Sequence, residues 1–506
     1  MLSKIKSYAL LGLDGLFVDV EVDVSNGMPS FEIVGLPDTA IKESKERVRS
    51  AIKNSGKVYP NKKITVNLAP ADIKKQGAYL DLAIAVGILE ASNQFLLNDL
   101  KDFVLIGELS LDGTLRAVDG ILPIIISALT DGNKKFIIPY ENRVEASFVD
   151  GAEIYPLNSL SETIDLLSGL KEFNKLECSK FESVIKKPEH KMDMSLVKGQ
   201  AMAKRGLEIA VAGGHNILFV GPPGTGKSML AKCIPSIMPD LTFNEALETT
   251  KIHSVSGLVN KEDGIISYRP FMTPHHTASA VSIIGGGQNA MPGIISLAHN
   301  GVLYLDEMPE YPRSVLESLR QPLEDRVITI TRAKASVEYP ASFMLCGSMN
   351  PCPCGNLGAK GKECSCTPSQ IKKYRAKISG PLLDRIDMRV SVNNVEYIDL
   401  VSLKEEESSS IVKQRINFAR KIQQERFLED NILTNAEMGE REIKKYCQIP
   451  KDGEESLKQT FERFNLSPRA RSRILKVART IADLDMSENI LLKHILEAVA
   501  YRSVVD

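Results

Sequence analysis

The chain has 506 residues, 43% of them hydrophobic and 25% charged, with a net charge of −1. That length exceeds one ordinary domain, the composition is that of a globular protein with roughly two to four domains, and the balanced charge leaves nucleic-acid binding to local basic patches. No apolar run approaches the ~18 residues of a membrane helix, Asp14 breaks the run Tyr8–Leu13 so no signal peptide is read, and a cytoplasmic chain with eight cysteines as thiols or metal ligands is expected.

Residues 1–170 have an α+β texture. Val18, Val20, Val22 and Val24 alternate with Asp19, Glu21 and Asp23, which predicts a half-buried strand. Ser25-Asn26-Gly27 reads as a turn, and Phe31–Val34 resumes extended structure. Asp38 is placed to cap a helix with Ile41, Val48 and Ile52 on one face. Further strands fit Ile64–Leu68, Phe103–Ile106 and Phe136–Pro139, and a helix fits Ala78–Glu90. Residues 171–192 are rich in lysine and glutamate with weak periodicity and read as a linker.

Residues 193–392 alternate strands and helices around Gly221-Pro222-Pro223-Gly224-Thr225-Gly226-Lys227-Ser228. This is a complete phosphate loop, preceded by the apolar run Asn216–Val220 and followed by the helical Met229–Cys233. Gly221, Gly224 and Gly226 let backbone N–H groups curl around phosphate oxygens. Lys227 can reach the β- and γ-phosphates, and the Ser228 hydroxyl can coordinate Mg²⁺. The loop implies an ATPase and leaves the use of the ATP open.

The strand Gly301–Leu305 ends in two carboxylates. Asp306 is placed to hold Mg²⁺ and Glu307 to polarise the attacking water. A second apolar strand, Phe343–Met349, ends at Asn350, whose amide can bond that water and the γ-phosphate. Gly380–Asp387 follows, and Arg385 suits an arginine finger reaching a neighbouring subunit's ATP. Ser467-Pro468-Arg469 opens a helix from which Arg469 could touch the γ-phosphate. Alternatively Arg469, Arg471, Arg473, Lys476 and Arg479 form a solvated basic face or bind DNA phosphates.

Between Asn350 and Arg385, residues 350–368 carry Cys352, Cys354, Cys364 and Cys366 as C-x-C-x₉-C-x-C. Four thiolates suit tetrahedral Zn²⁺, with Gly355, Gly358 and Gly361 folding the loop back; the C-x-C spacing is tighter than usual, and a cysteine-rich loop without metal is the alternative. Cys178, Cys233, Cys346 and Cys447 are scattered and read as buried thiols. His275 and His276 lack partners at ligand spacing and read as positioning or substrate-contact residues. Asp325–Tyr339 reads as a β-hairpin with Arg332 and Lys334 at its tip. Residues 393–506 turn helical. Ser408–Ser410 can cap a helix bearing Val412, Ile416, Ala419 and Ile422, and a last helix follows Ser487 with Leu491, Ile495 and Val499 on one face.

The ordered set resembles AAA+ ATPases of the branch holding magnesium-chelatase I subunits and minichromosome-maintenance helicases. More closely, the whole chain resembles the ComM/YifB family of magnesium chelatase-like AAA+ ATPases. The residues that carry this are Phe31–Asp38, Gly213-Gly214-His215-Asn216, Thr273-Pro274-His275-His276-Thr277, Asn350–Gly355 and Gly380–Asp387. The resemblance implies a multidomain α/β and α+β fold. Residues 1–170 would form a Lon-protease-like (S5 domain 2-like) domain, 193–392 an AAA+ P-loop core, and 393–506 a helical lid. It implies ATP, Mg²⁺ and a homo-oligomeric ring, a hexamer, acting as a branch-migration helicase on branched or single-stranded DNA. In the related helicases a hairpin such as Asp325–Tyr339 points into the pore, which makes Arg332 and Lys334 DNA-contact candidates. Ile284–Gln288 lies where this branch inserts a second mobile element.

The Lon nucleophile segment Gly-Pro-Ser-Ala-Gly matches Gly77-Ala78-Tyr79-Leu80-Asp81, so Tyr79 stands at the serine. The lysine segment matches Asp119-Gly120-Ile121-Leu122, so Leu122 stands at the lysine. Both members of the dyad are absent, and no peptidase activity is expected. The alternative function is a chelatase-like remodelling chaperone acting on a protein or metal-cofactor partner.

Overall fold

A computed structural model describes residues 2–75, 77–95, 100–184, 191–287, 290–332, 335–359, 361–395, 406–464 and 467–502. The N-terminal part is built on a seven-stranded sheet. Its order is Ser30–Val34, Lys63–Ala69, Asp14–Ser25, Leu2–Leu11, Phe103–Leu105, Lys135–Pro139 and Glu153–Leu157. Val18, Val20 and Val22 are fully buried, as their alternation requires. The turn at Ser25-Asn26-Gly27 does not close a hairpin. Lys63–Ala69 lies between the strands that flank it, antiparallel to Asp14–Ser25 and parallel to Ser30–Val34. The helix Thr39–Asn54 supplies the crossover that a parallel pair needs.

Asp38 caps that helix by accepting the Ile41 N–H at 2.9 Å, and Ile41, Val48 and Ile52 face the core. The second helix spans Asp81–Ala91, starting three residues after the expected Ala78. The chain from Gly77 (φ +83°) is still turning there. Residues 82–89 are buried on every side, which explains an apolar run without a polar face.

The stretch 171–192 is not a free tether. Leu176 N–H donates to Ile154 O at 2.8 Å, and Ser147 bonds Ser179 at 2.8 Å. Phe181 is buried with Phe148, Leu241, Ala246 and Ile265. Weak periodicity hid these contacts because the described residues 171–184 follow the surface of their neighbours.

The second sheet has five parallel strands in the order Phe271–Met272, Val302–Leu305, Met344–Met349, Ile217–Val220 and Met388–Ser391. Helices cover it, so its central strands are continuous apolar runs. The C-terminal helices Ser409–Arg426 and Pro468–Leu484 pack on Ala201–Gly213 in one shared core. Val412, Ile416 and Ala419 are buried there. In the last helix, Leu492–Ala500, the inward residues are His494, Ile495 and Ala498. Leu491 precedes it and is exposed.

The two sheets are joined by a close helical contact. Ile121–Thr130 packs on Phe243–Val255, and Gly120 N–H donates to Ser254 O at 3.1 Å. Glu145 sits in this junction, accepting the Ser254 hydroxyl and, at 3.3 Å, the Leu122 N–H. Burial, with the Asp119 carboxylate nearby, pushes its carboxyl up to about 7. The native state therefore favours the protonated form. That contribution is complete below the ordinary value of 4.5 and is lost as pH rises through about 7. Melting temperature measured between about pH 5 and pH 8 should accordingly fall less steeply in Glu145→Gln than in the parent protein; parallel curves would contradict the assignment.

Candidate nucleotide site

Parallel strands deliver their carboxyl ends to one edge, where ligands of open α/β sheets bind. Val220 lies beside Met349, and Leu305 beside Gly347. The residues that follow these strands, Gly221, Asp306 and Asn350, therefore share that edge. At Gly221 a Cβ would stand 2.0 Å from Val392 O, so only glycine fits. Gly226 turns left-handed (φ +92°) to open the helix Lys227–Ile237. Gln200 supports the loop by donating to Thr225 O at 3.1 Å.

Lys227 Nζ donates to Gly221 O at 2.7 Å, to Pro222 O at 2.8 Å and to Asn350 Oδ1 at 3.2 Å. Burial pulls its ammonium below its ordinary value, and Asp306 and Glu307 oppose that. Ser228 Oγ donates to Asp306 Oδ2 at 3.0 Å. The other carboxylate oxygen takes the Tyr304 hydroxyl at 2.8 Å and the Ser348 hydroxyl. Burial works against ionisation of Asp306, but the hydrogen bonds from Ser348, Tyr304 and Ser228 outweigh it and hold the carboxyl below its usual range. An ionised carboxylate beside a serine hydroxyl fits a hard divalent cation.

Glu307 turns the corner after the strand with a left-handed backbone (φ +50°), its N–H donating to Ser348 Oγ at 3.1 Å. Glu307 and Asn350 then line one cleft of about 860 Å³ with Tyr311 and Tyr374. The Thr273–Thr277 segment reaches this cleft from behind. Tyr311 OH donates to Pro274 O at 2.5 Å, and His276 meets the Tyr311 ring edge-on. His275 stacks on His276 and bonds Thr277.

Tyr304, Ser348 and Gln200 are site residues that the motifs did not name. Strand alternation carried the signal for two of them. Tyr304 is two residues before Asp306, and Ser348 two before Asn350, so each shares the face of the motif residue. Gln200 lies outside any repeat or motif and left no such trace.

Arg385 and Arg469 stand together, away from their own phosphate loop's partners. Both approach Glu324: Arg385 Nη2 donates to it, and Arg469 Nη2 lies 3.6 Å from it. Among the described residues, Arg469 makes no contact with Lys227, Asp306 or Asn350; its partner is Glu324. Its helix, Pro468–Leu484, is held against the opposite ends of the strands. There Arg473 pairs with Asp387, and Thr480 bonds His215 at 2.8 Å. The basic series from Arg469 is also not one solvated face, since Arg479 is buried against Asp483 and Lys476 donates inward to Ala436 O at 3.0 Å.

The cysteine loop folds the four thiols into one cluster. Sγ–Sγ separations are 3.4 Å for Cys352–Cys354, 3.6 Å for Cys352–Cys364 and 3.7 Å for Cys354–Cys364. All four sulfurs, including Cys366, lie within 4.8 Å of one another. A tetrahedral zinc with Zn–S of about 2.3 Å has sulfurs about 3.8 Å apart, so these donors fit the ion. The loop abuts the phosphate loop: a Cβ on Gly355 would meet Pro223 Cδ at 2.7 Å. Of the scattered cysteines, Cys233, Cys346 and Cys447 are buried, but Cys178 is exposed.

Strands Val327–Arg332 and Ala335–Pro340 form the expected hairpin, pairing Arg332 with Ala335. Lys334 lies outside the described residues. In the glycine-rich segment, Gly285–Gly286 pairs with Met291–Pro292, and Gln288 lies outside the described residues.

Three family models match the chain: magnesium chelatase, subunit ChlI, over residues 193–400; subunit ChlI of Mg-chelatase over 20–142; and magnesium chelatase, subunit ChlI C-terminal, over 406–502. The uncharacterized protein YifB of Escherichia coli is 43% identical, covering 99% of this chain and 97% of its own length. The competence protein ComM of Haemophilus influenzae is 42% identical, covering 100% of this chain and 98% of its own length. Lon protease 2 of Bacillus subtilis is 28% identical over 168 residues, 30% of each chain.

The sulfur geometry is checked by elemental analysis. Protein purified without added zinc should carry about one equivalent per chain, and Cys354→Ser with Cys364→Ser should bring it below about half.

Proposed function

We propose that this chain, which belongs to the ComM/YifB family of magnesium chelatase-like AAA+ proteins, is a ring-forming ATP hydrolase that translocates DNA and migrates branches. The observation that carries the ATPase reading is the pair of contacts Lys227–Asn350 and Ser228–Asp306. They bring three separate motifs to one strand edge. ATP is the substrate. Ser228 and Asp306 would hold Mg²⁺, which neutralises phosphate charge when bound. Lys227 binds the β- and γ-phosphates. Glu307 orients and polarises water, and Asn350 bonds that water and the γ-phosphate. Arg385, with Arg469 beside it, stabilises the transferring phosphoryl group of the adjoining copy. Their shared position at Glu324 supports that assignment to a neighbour.

In this reading residues 1–170 are a Lon-like domain without protease chemistry. Tyr79 is half-buried against the core and Leu122 is buried at 1% exposure, and neither side chain supplies the serine or lysine of the dyad. Residues 171–192 connect it to the AAA+ core at 193–392, and residues 393–506 form the lid. DNA as the moved polymer is supported by the name of the 42%-identical competence protein and by a hairpin whose first strand ends at the cationic Arg332. The ring, a cytoplasmic hexamer, would hold branched or single-stranded DNA at those hairpins, and the cysteine cluster would carry structural zinc. Three chelatase family matches favour a second reading, a remodelling chaperone for a protein or metal-cofactor partner.

ATPase assays separate the two. Lys227→Ala and Glu307→Gln should each lower the rate by roughly 10²-fold or more. Single-stranded or branched DNA should stimulate the parent protein, and Arg332→Ala with Lys334→Ala should remove that stimulation. A rate insensitive to every DNA would favour the chaperone.

A further inference from the structure

Arg385 has few ways to meet a phosphate from outside. Its side chain is only 9% exposed. Nη1 already donates to Pro381 O at 2.8 Å, and Nε is enclosed without a partner. That leaves Nη2, which is given to Glu324. Glu324 also lies 3.6 Å from Arg469, and its own side chain is 50% exposed. Arg473, the next cation, is committed to Asp387. Among the described residues, Glu324 is thus the only carboxylate on either Arg385 or Arg469. The cations are crowded: burial, then Arg320, Arg469 and Arg473, depress the Arg385 guanidinium. The small cavity they line, about 220 Å³, has room for a phosphate group.

Glu324 belongs to the short turn of helix Pro322–Asp325. Arg326, with a left-handed backbone (φ +58°), follows, and the hairpin strand Val327–Arg332 begins at once. A carboxylate and a phosphate on the same guanidinium edge repel each other, and Nη1 and Nε of Arg385 are turned toward Pro381 O and the interior.

We propose that Glu324 is a built-in stand-in for the neighbour's γ-phosphate, a latch that holds Arg385 and Arg469 until a neighbour's ATP displaces it. The inference rests on the reading of Arg385 as acting on the adjoining copy. Because Glu324 is three residues from Val327, releasing the latch shifts the root of the hairpin. Engagement of the neighbour's nucleotide and movement of the polymer-facing hairpin are then one event. In a lone chain the latch orders the two arginines and offsets one of their two charges.

The test is Glu324→Gln in the full-length protein, which keeps the shape and removes the charge. ATP hydrolysis is followed against protein concentration, with and without single-stranded DNA, beside Arg385→Ala and the double variant. The latch predicts a basal rate raised several-fold and half-maximal activity at lower protein concentration. It also predicts a smaller ratio of stimulated to basal rate, and no gain in Glu324→Gln/Arg385→Ala. If Arg385→Ala loses activity but Glu324→Gln behaves as the parent, the latch is wrong and the motor reading stands. If Glu324→Gln loses activity as Arg385→Ala does, with an unchanged melting temperature, Glu324 props the arginine and the latch is likewise wrong. If Arg385→Ala is as active as the parent, the reading of Arg385 fails and takes the latch with it.

Discussion

Asn216 uses both ends of its side chain and both of its backbone groups to join three strands at their amino ends. Its Oδ1 accepts the Leu345 N–H at 2.8 Å, and its Nδ2 donates to Arg385 O at 3.0 Å. Its carbonyl accepts the N–H groups of Asp387 and Met388, each at 3.0 Å, and its N–H donates to Asp387 Oδ2 at 3.1 Å. A strand alternates faces with period two, so a slip of one residue would turn Ser348 and Asn350 away from Asp306 and Lys227. The register set at Asn216 is what delivers those groups, a few residues later, to the same edge. Asp387 ties the C-terminal helix to this corner. Burial opposes its ionisation, but the Arg473 guanidinium holds it well below the usual carboxylate range. Burial pushes the adjacent His215 imidazole below its ordinary value, against the opposing pull of Asp387.

This arrangement sets the nucleotide strand between two neighbours of different purpose. On one side runs the strand that ends at Asn350, and on the other the strand that follows Arg385. Asn216 is hydrogen-bonded to both neighbouring strands. In the proposed ring, one residue therefore couples the site a chain owns to the arginine it lends. The packing of Ile121–Thr130 on Phe243–Val255 brings the N-terminal sheet against this core.

What could be read from the sequence follows from the range of the forces involved. Local rules sufficed for the Asp38 cap, the valine alternation and the phosphate loop, because each depends on residues within a few positions. Asn216 was visible only as part of a motif whose partners lie 129 and 169 residues away in the chain. The turn at Ser25-Asn26-Gly27 had hairpin chemistry, yet Lys63–Ala69 displaced the local partner, and a nonlocal pairing won over a turn signal. Arg469 had the expected helix start, but the placement of that helix against Asp387 and His215 is tertiary, so its contact with Glu324 left no local trace. Phe181 lay in a polar segment whose neighbours, Phe148 and Leu241, come from both sides of it.

The contact between Gly355 and Pro223 joins the cysteine loop to the phosphate loop with no room for a methyl group. The loop is therefore no detachable ornament. Reshaping its first turn would press on Pro223 in the phosphate loop, so the shapes of the two loops have to be accommodated together.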